Sequence, residues 1–135
     1  MIVFISNKFQ KIEIIEFKKD HYSKNYVEKI ESLFKLYKNK NVEIFIYNFE
    51  FTGDILKKSF QKVNDNLLKN LSRIIPFAYE KISTIYKITS LFYKNFAGKK
   101  HFIFSDTGFF SSLPDYVSNY ALPYEFTKKN IKRYG

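Results

Sequence analysis

Asp106 is the residue in this sequence best placed to do chemistry. It follows the apolar run Phe102–Phe104, and Thr107 and Gly108 come directly after it. That run reads as a β-strand, so the carboxylate stands at or just past a carboxyl end. In an open α/β sheet this edge is where ligands bind. A carboxylate there can orient a nucleophile, accept a proton or hold Mg²⁺ through water. It can equally cap the turn that follows. Asn7 ends the first apolar run in the same way, and its amide suits a ligand site or a hairpin turn. Position alone leaves both choices open. His21 and His101 read as surface or strand-edge residues.

The elements that would carry these groups can be read from periodicity. Ile2–Ser6 is a short strand, apolar on both faces and therefore central. Asn7–Gln10 is a polar turn, and the Ile-rich run Lys11–Phe17 completes an opening β-hairpin. Val27, Ile30, Phe34 and Tyr37 are spaced by three and four, which predicts an amphipathic helix over Tyr22–Lys38. Asn41–Phe51 reads as a buried strand that Gly53 breaks. Leu56, Phe60, Val63, Leu67 and Leu71 form one stripe, which predicts a helix over Asp54–Leu71. Arg73–Ile75 is a short apolar run before Pro76. Glu80–Phe96 reads as a helix with Ile82, Ile85 and Tyr86 inward, stopped by Gly98 and two lysines. His101–Ser105 is a strand, and the last thirty residues or so are loop and short helix. Alternating strands and helices without repeat or linker predict one α/β domain over residues 1–135.

Bulk composition narrows the function classes. The 135 residues suffice for one domain, and 16 Phe with 11 Tyr predict a ring-rich core. There is no cysteine, so disulfides and thiolate metal sites are excluded, as fits a reducing cytoplasm. The apolar runs are too short to span a bilayer, and the N-terminus lacks the pattern of a signal peptide. The net charge of +10 invites a nucleic-acid partner. Of the 23 basic residues, however, only Arg73 and Arg133 are arginine, and the lysines are spread along the whole chain. Readers of bases and phosphates lean on the rigid guanidinium fork. The expectation is therefore no nucleic-acid and no membrane partner.

The C-terminal third carries a more specific signal. Ile103–Gly135 reads IFSDTGFFSSLPDYVSNYALPYEFTKKNIKRYG. This resembles the acetokinase-family segment F-D-T-A-F-H-x-T-M-P, then Y-x-L-P-Y-E, then R-R-Y-G. Asp106, Thr107, Phe109, Pro114, Tyr120, Leu122, Pro123, Tyr124, Glu125, Arg133, Tyr134 and Gly135 fall on that pattern without a gap. Met1–Phe17 is similar to the family's opening strand, asparagine and hairpin, with Asn7 on the asparagine of I-N-A-G-S-S-S-L-K. Ser72–Ala78 resembles H-R-V-V-H-G-G, which puts Arg73 on the substrate arginine and Ile75 on an apolar residue of the acyl pocket.

The resemblance implies a ribonuclease-H-like domain of the actin and sugar-kinase type, with a mixed sheet flanked by helices. It implies phosphoryl transfer between ATP and a short-chain carboxylate such as acetate, with ATP and Mg²⁺ as cofactors. By the same carry-over, Arg73 grips the carboxylate and Ile75 touches the acyl group. Asp106 orients the nucleophile or moves a proton, and Asn7 lies near the metal. The departures point the other way. The histidine of F-D-T-A-F-H is Phe110 here, the two glycines after the arginine motif are Phe77 and Ala78, and the phosphate-facing serines are missing. The sequence stops at Gly135, inside the motif that continues F-H-G-T-S-H in the family. The expectation is a truncated chain, inactive alone. It would need a complementing chain, form a homo-oligomer, or serve as a non-catalytic interaction module.

Overall fold

The computed structural model describes residues 1–8, 10–53, 55–56 and 58–106. Of the residues that fall on the family pattern in the C-terminal third, Asp106 is described, and those from Thr107 to Gly135 lie outside the described residues. Six strands form one sheet: β1 (Ile2–Lys8), β2 (Lys11–Phe17), β3 (Tyr22–Val27), β4 (Ile44–Phe49), β5 (Phe60–Lys62) and β6 (Lys100–Ser105). Three helices accompany them: α1 (Ile30–Tyr37), α2 (Asp65–Ile74) and α3 (Tyr79–Asn95). A 3-10 turn, Ile75–Phe77, joins α2 to α3.

The sheet order is β3-β2-β1-β4-β6-β5. Strands β1, β4 and β6 run parallel at the centre. The opening hairpin β1–β2 and the neighbour β3 are antiparallel, as is β5 on the far edge. The sheet is mixed, is flanked by helices and opens on a hairpin, as the sequence predicts.

Register sorts the side chains into two faces. Val3, Ile5, Ile14, Phe45, Tyr47 and Ile103 share one face and are fully buried. Helices α1 and α3 close over it. The Phe92 ring of α3 stands edge-on to Phe45 at 5.2 Å, and Tyr37 of α1 stands edge-on to Phe45 at 5.9 Å. Such edge-to-face pairs add to the hydrophobic term of a core this rich in rings. The opposite face carries Phe4, Ile15, Ile46, Phe102 and Phe104, all half-buried. No described helix is long and apolar enough to cross a membrane.

Three sequence expectations need correction. His101 is not a surface or strand-edge residue but is 2% exposed on β6, which pairs with β4 and β5. Tyr22–Lys38 is not one helix, because Tyr22–Val27 is strand β3 and only Ile30–Tyr37 is helical. The exposed flank of β2 requires a partner, and β3 supplies it. Lys24 of β3 pairs with Glu13 of β2 at 2.6 Å, and the Tyr26 hydroxyl donates to the same carboxylate at 3.2 Å. Tertiary pairing overrides local helical spacing here.

Likewise Asp54–Leu71 is not one helix. Phe60–Lys62 forms β5, and the helix starts only at Asp65. Asn64 decides the break. Its backbone is extended (φ −148°, ψ 168°), and its side chain accepts a hydrogen bond from the Leu67 amide at 2.8 Å, so it is an N-cap. Leu56, Val63, Leu67 and Leu71 are buried all the same. Phe60, the fifth member of the stripe, is 45% exposed.

Candidate functional site at the carboxyl edge of the parallel strands

The parallel strands β1, β4 and β6 end together. Ile5 pairs with Tyr47, and Phe49 pairs with Ser105. Asn7 of β1 therefore stands level with Phe49, and Asp106 follows Ser105 directly. The sheet thus brings Asn7 and Asp106 to one edge, on strands that flank β4 and lie about 10 Å apart. Both are half-buried.

Hydrogen bonds fix the backbone that delivers Asp106. Thr52 and Ser105 hydroxyls are 2.8 Å apart and fully buried, which ties the loop after β4 to the end of β6. The Ser105 amide donates to the Ser59 carbonyl at 2.9 Å.

The direction of α3 brings a second element to this edge. Its last turn is held at the opposite, amino end of the sheet, where His101 Nε2 donates to the Phe96 carbonyl at 2.9 Å. The Lys100 amide bonds the Glu43 carbonyl just below. A 17-residue helix is roughly 25 Å long, more than the length of the sheet. Its first residues therefore reach the carboxyl edge. An open cavity of about 450 Å³ lies there, lined by Phe51, Phe77, Ala78, Tyr79 and Glu80. Phe77 is 84% exposed and Tyr79 is 60% exposed, so apolar rings stand at its mouth.

Arg73 and Ile75 arrive on a different support. Arg73 is exposed in the last turn of α2, and Ile75 is half-buried in the 3-10 turn and packs on the core. They precede the cavity wall in the chain. No described hydrogen bond or ion pair joins Arg73 to Asn7 or Asp106.

One residue at this edge escaped the sequence reading. Asn48 lies on β4 between the strands of Asn7 and Asp106, is 8% exposed, and its Oδ1 has no hydrogen-bond partner among the described residues. An orphaned buried acceptor costs about 1–3 kcal/mol. Next to it across the sheet, Ser6 donates to Glu13 Oε2 at 3.0 Å. The Lys24 ammonium lowers the Glu13 carboxyl below the ordinary carboxylate range, and burial opposes it without winning. The only sequence signal for Asn48 is a lone amide inside the run Ile44–Phe49.

The acetokinase family profile matches residues 52–135, more than half of the sequence. The chain belongs to the acetokinase family. Arg73, Ile75 and Asp106 of this acetokinase-family chain fall within the match, and Asn7 lies before it. The chain is 38% identical over 78 residues to an acetate kinase of Baumannia cicadellinicola subsp. Homalodisca coagulata, covering 54% of this chain and 19% of that protein. The aligned stretch is thus about a fifth of that relative's length.

Solved structures agree on the fold. An acetate kinase from Entamoeba histolytica superposes with a TM-score of 0.80 at 14% identity, over 99% of this chain and 42% of that one. A propionate kinase from Francisella tularensis gives 0.72 at 18% identity, over 99% and 44%. The Porphyromonas gingivalis acetate kinase gives 0.75 at 16% identity, over 99% and 44%. This acetokinase-family chain therefore has the ribonuclease-H-like fold of those kinases and spans less than half of each.

Proposed function

We propose that these residues form the carboxylate-side half of a phosphoryl-transfer cleft acting between ATP and a short-chain carboxylate in the cytoplasm. The observation that carries this is the position of Asp106. It follows the end of a central parallel strand, at the ligand-binding edge of the sheet, inside the family match.

In this reading Arg73 holds the substrate carboxylate, since a guanidinium does so bidentately. Ile75 packs on the acyl group. Asp106 orients the attacking carboxylate or moves a proton. Asn7 and Asp106 are hard oxygen donors. Among the described residues no group of three or more His, Cys, Asp or Glu could hold a metal. This donor set therefore suits Mg²⁺ that keeps most of its water and arrives with nucleotide phosphates. When bound, the ion neutralises charge on the transferring phosphoryl group.

The 135 residues alone are inactive in this proposal. The nucleotide side of the cleft must close over the carboxyl edge to exclude water. These 135 residues span less than half of the solved kinases, so the nucleotide half would come from further sequence, on this chain or on a complementing one. The test is an acyl-phosphate assay with ATP, Mg²⁺ and acetate. The chain alone should show no turnover. Adding a chain that supplies the nucleotide half should restore it, and Asp106→Asn should abolish it again. Turnover by the 135 residues alone would sink the need for a second half. Restored turnover indifferent to Asp106→Asn would sink the role of that carboxylate.

A second reading is a non-catalytic docking module. Exposed Phe77 and Tyr79 at the cavity mouth favour it, because large rings seldom face water without a partner. A strict monomer by size-exclusion mass at micromolar concentration, unchanged by any kinase chain, would count against it.

A further inference from the structure

We infer that Asn48 is a third ligand-holding residue of this edge, accepting a hydrogen bond from a water of a hydrated divalent cation whose charge Asp106 balances. The inference rests on the phosphoryl-transfer reading for its choice of cation.

Three observations carry it. Asn48 Oδ1 is buried and has no partner among the described residues, as is the case for Ser90 Oγ on α3, whereas the buried polar groups nearest Asn48 on the sheet, Ser6, Glu13, Thr52 and Ser105, all have one. Buried acceptors left open in a native fold call for an explanation, and an absent ligand is one. Asn48 also occupies the middle strand of the three that end at the candidate site, paired directly with Phe104, two residues before Asp106.

The third observation is one of size. One strand across and two residues along place Asn48 and Asp106 about 8 Å apart between backbones. A magnesium ion holds water at about 2.1 Å, and that water reaches an acceptor about 2.8 Å further out. Asp and Asn side chains on backbones so spaced can converge on one ion, directly or through its water shell. The charge balance agrees. Lys24 already neutralises the nearby Glu13, so Asp106 supplies the anion and Asn48 supplies a neutral acceptor.

The test uses the 135-residue chain, Mg²⁺ as ligand and Mn²⁺ as paramagnetic probe. Manganese should broaden the Asn48 side-chain amide signal, assigned by its loss in Asn48→Asp, and Asp106→Asn should abolish the broadening. Asn48→Leu removes the orphan acceptor. It should raise the melting temperature of the free chain by about 5 °C while weakening Mn²⁺ binding about tenfold. Asn48→Asp keeps an oxygen in place and should bind Mn²⁺ more tightly than the parent. This variant decides the matter if Asn48→Leu does not fold.

An Asn48 signal untouched by Mn²⁺ would overturn the inference, as would Asn48→Leu with full Mn²⁺ affinity or Asn48→Asp with none gained. A completed cleft that makes no acyl phosphate while Mn²⁺ still broadens Asn48 would overturn the kinase reading and leave this one standing.

Discussion

His101 Nδ1 lies 2.8 Å from the hydroxyl of Tyr47, and its Nε2 lies 2.9 Å from the Phe96 carbonyl. A carbonyl can only accept, so Nε2 carries the proton and Nδ1 accepts from Tyr47. One neutral imidazole thereby links β4, β6 and the end of α3. Its ring stacks on Tyr47 at an interplanar angle of 4°.

That arrangement predicts acid sensitivity near neutral pH. Burial pushes the His101 pKa below the ordinary histidine value of 6.5, and the Phe96 carbonyl pulls the other way without winning. The folded value is thus lower than the unfolded one. The stabilisation is complete above about pH 6.5 and is lost as pH falls toward the lowered folded value. The urea midpoint should drop between about pH 7 and pH 5.5, and His101→Gln should flatten that window. An equal slope in the variant would assign the effect elsewhere.

A second prediction concerns the buried pair under α1. The Tyr37 hydroxyl donates to Glu16 Oε1 at 2.7 Å, and Lys40 reaches the same oxygen at 2.8 Å. Burial pushes the Glu16 pKa up, but the Lys40 and Tyr37 hydrogen bonds outweigh it and leave the group below its ordinary value. Glu16→Leu strands a buried tyrosine hydroxyl and should cost about 1–3 kcal/mol. Adding Tyr37→Phe should recover part of that loss. Strict additivity of the two changes in urea unfolding would show that the hydroxyl gains nothing from the carboxylate.

Asn64 should matter more than its exposed position implies. Its side chain caps α2 and marks where β5 gives way to helix. Asn64→Ala should destabilise by about 1 kcal/mol, and Asn64→Asp should be close to neutral. Equal unfolding midpoints for parent and Asn64→Ala would remove the cap from the account.

Arg73 separates stability from binding. Being exposed, it should tolerate Arg73→Ala within about 0.5 kcal/mol by thermal unfolding. In the completed cleft the same change should raise the KM for acetate by about tenfold or more, because a bidentate charged contact is lost. An unchanged KM would move the carboxylate anchor to another residue.

The opening hairpin, the central strands β4 and β6, the length of α3 and the edge position of Asp106 were legible in the sequence, whereas β3 and β5 were not. Each rests on local signals: β-branched runs, helical spacing, a glycine and lysine stop, and a polar residue closing an apolar run. The two misjudged helices failed for one reason. Val27 and Ile30, or Phe60 and Val63, show the same spacing in a continuous helix as in a strand followed by a helix. Only pairing with β2 and β6 distinguishes the two. What the tertiary structure alone decided is which residues meet. Sequence distance hides that β4 lies between β1 and β6, so it hides that Asn48 shares an edge with Asn7 and Asp106. Burial is likewise a property of the assembled sheet. An amide inside an apolar run becomes an orphaned acceptor only once neighbouring strands have taken its water away.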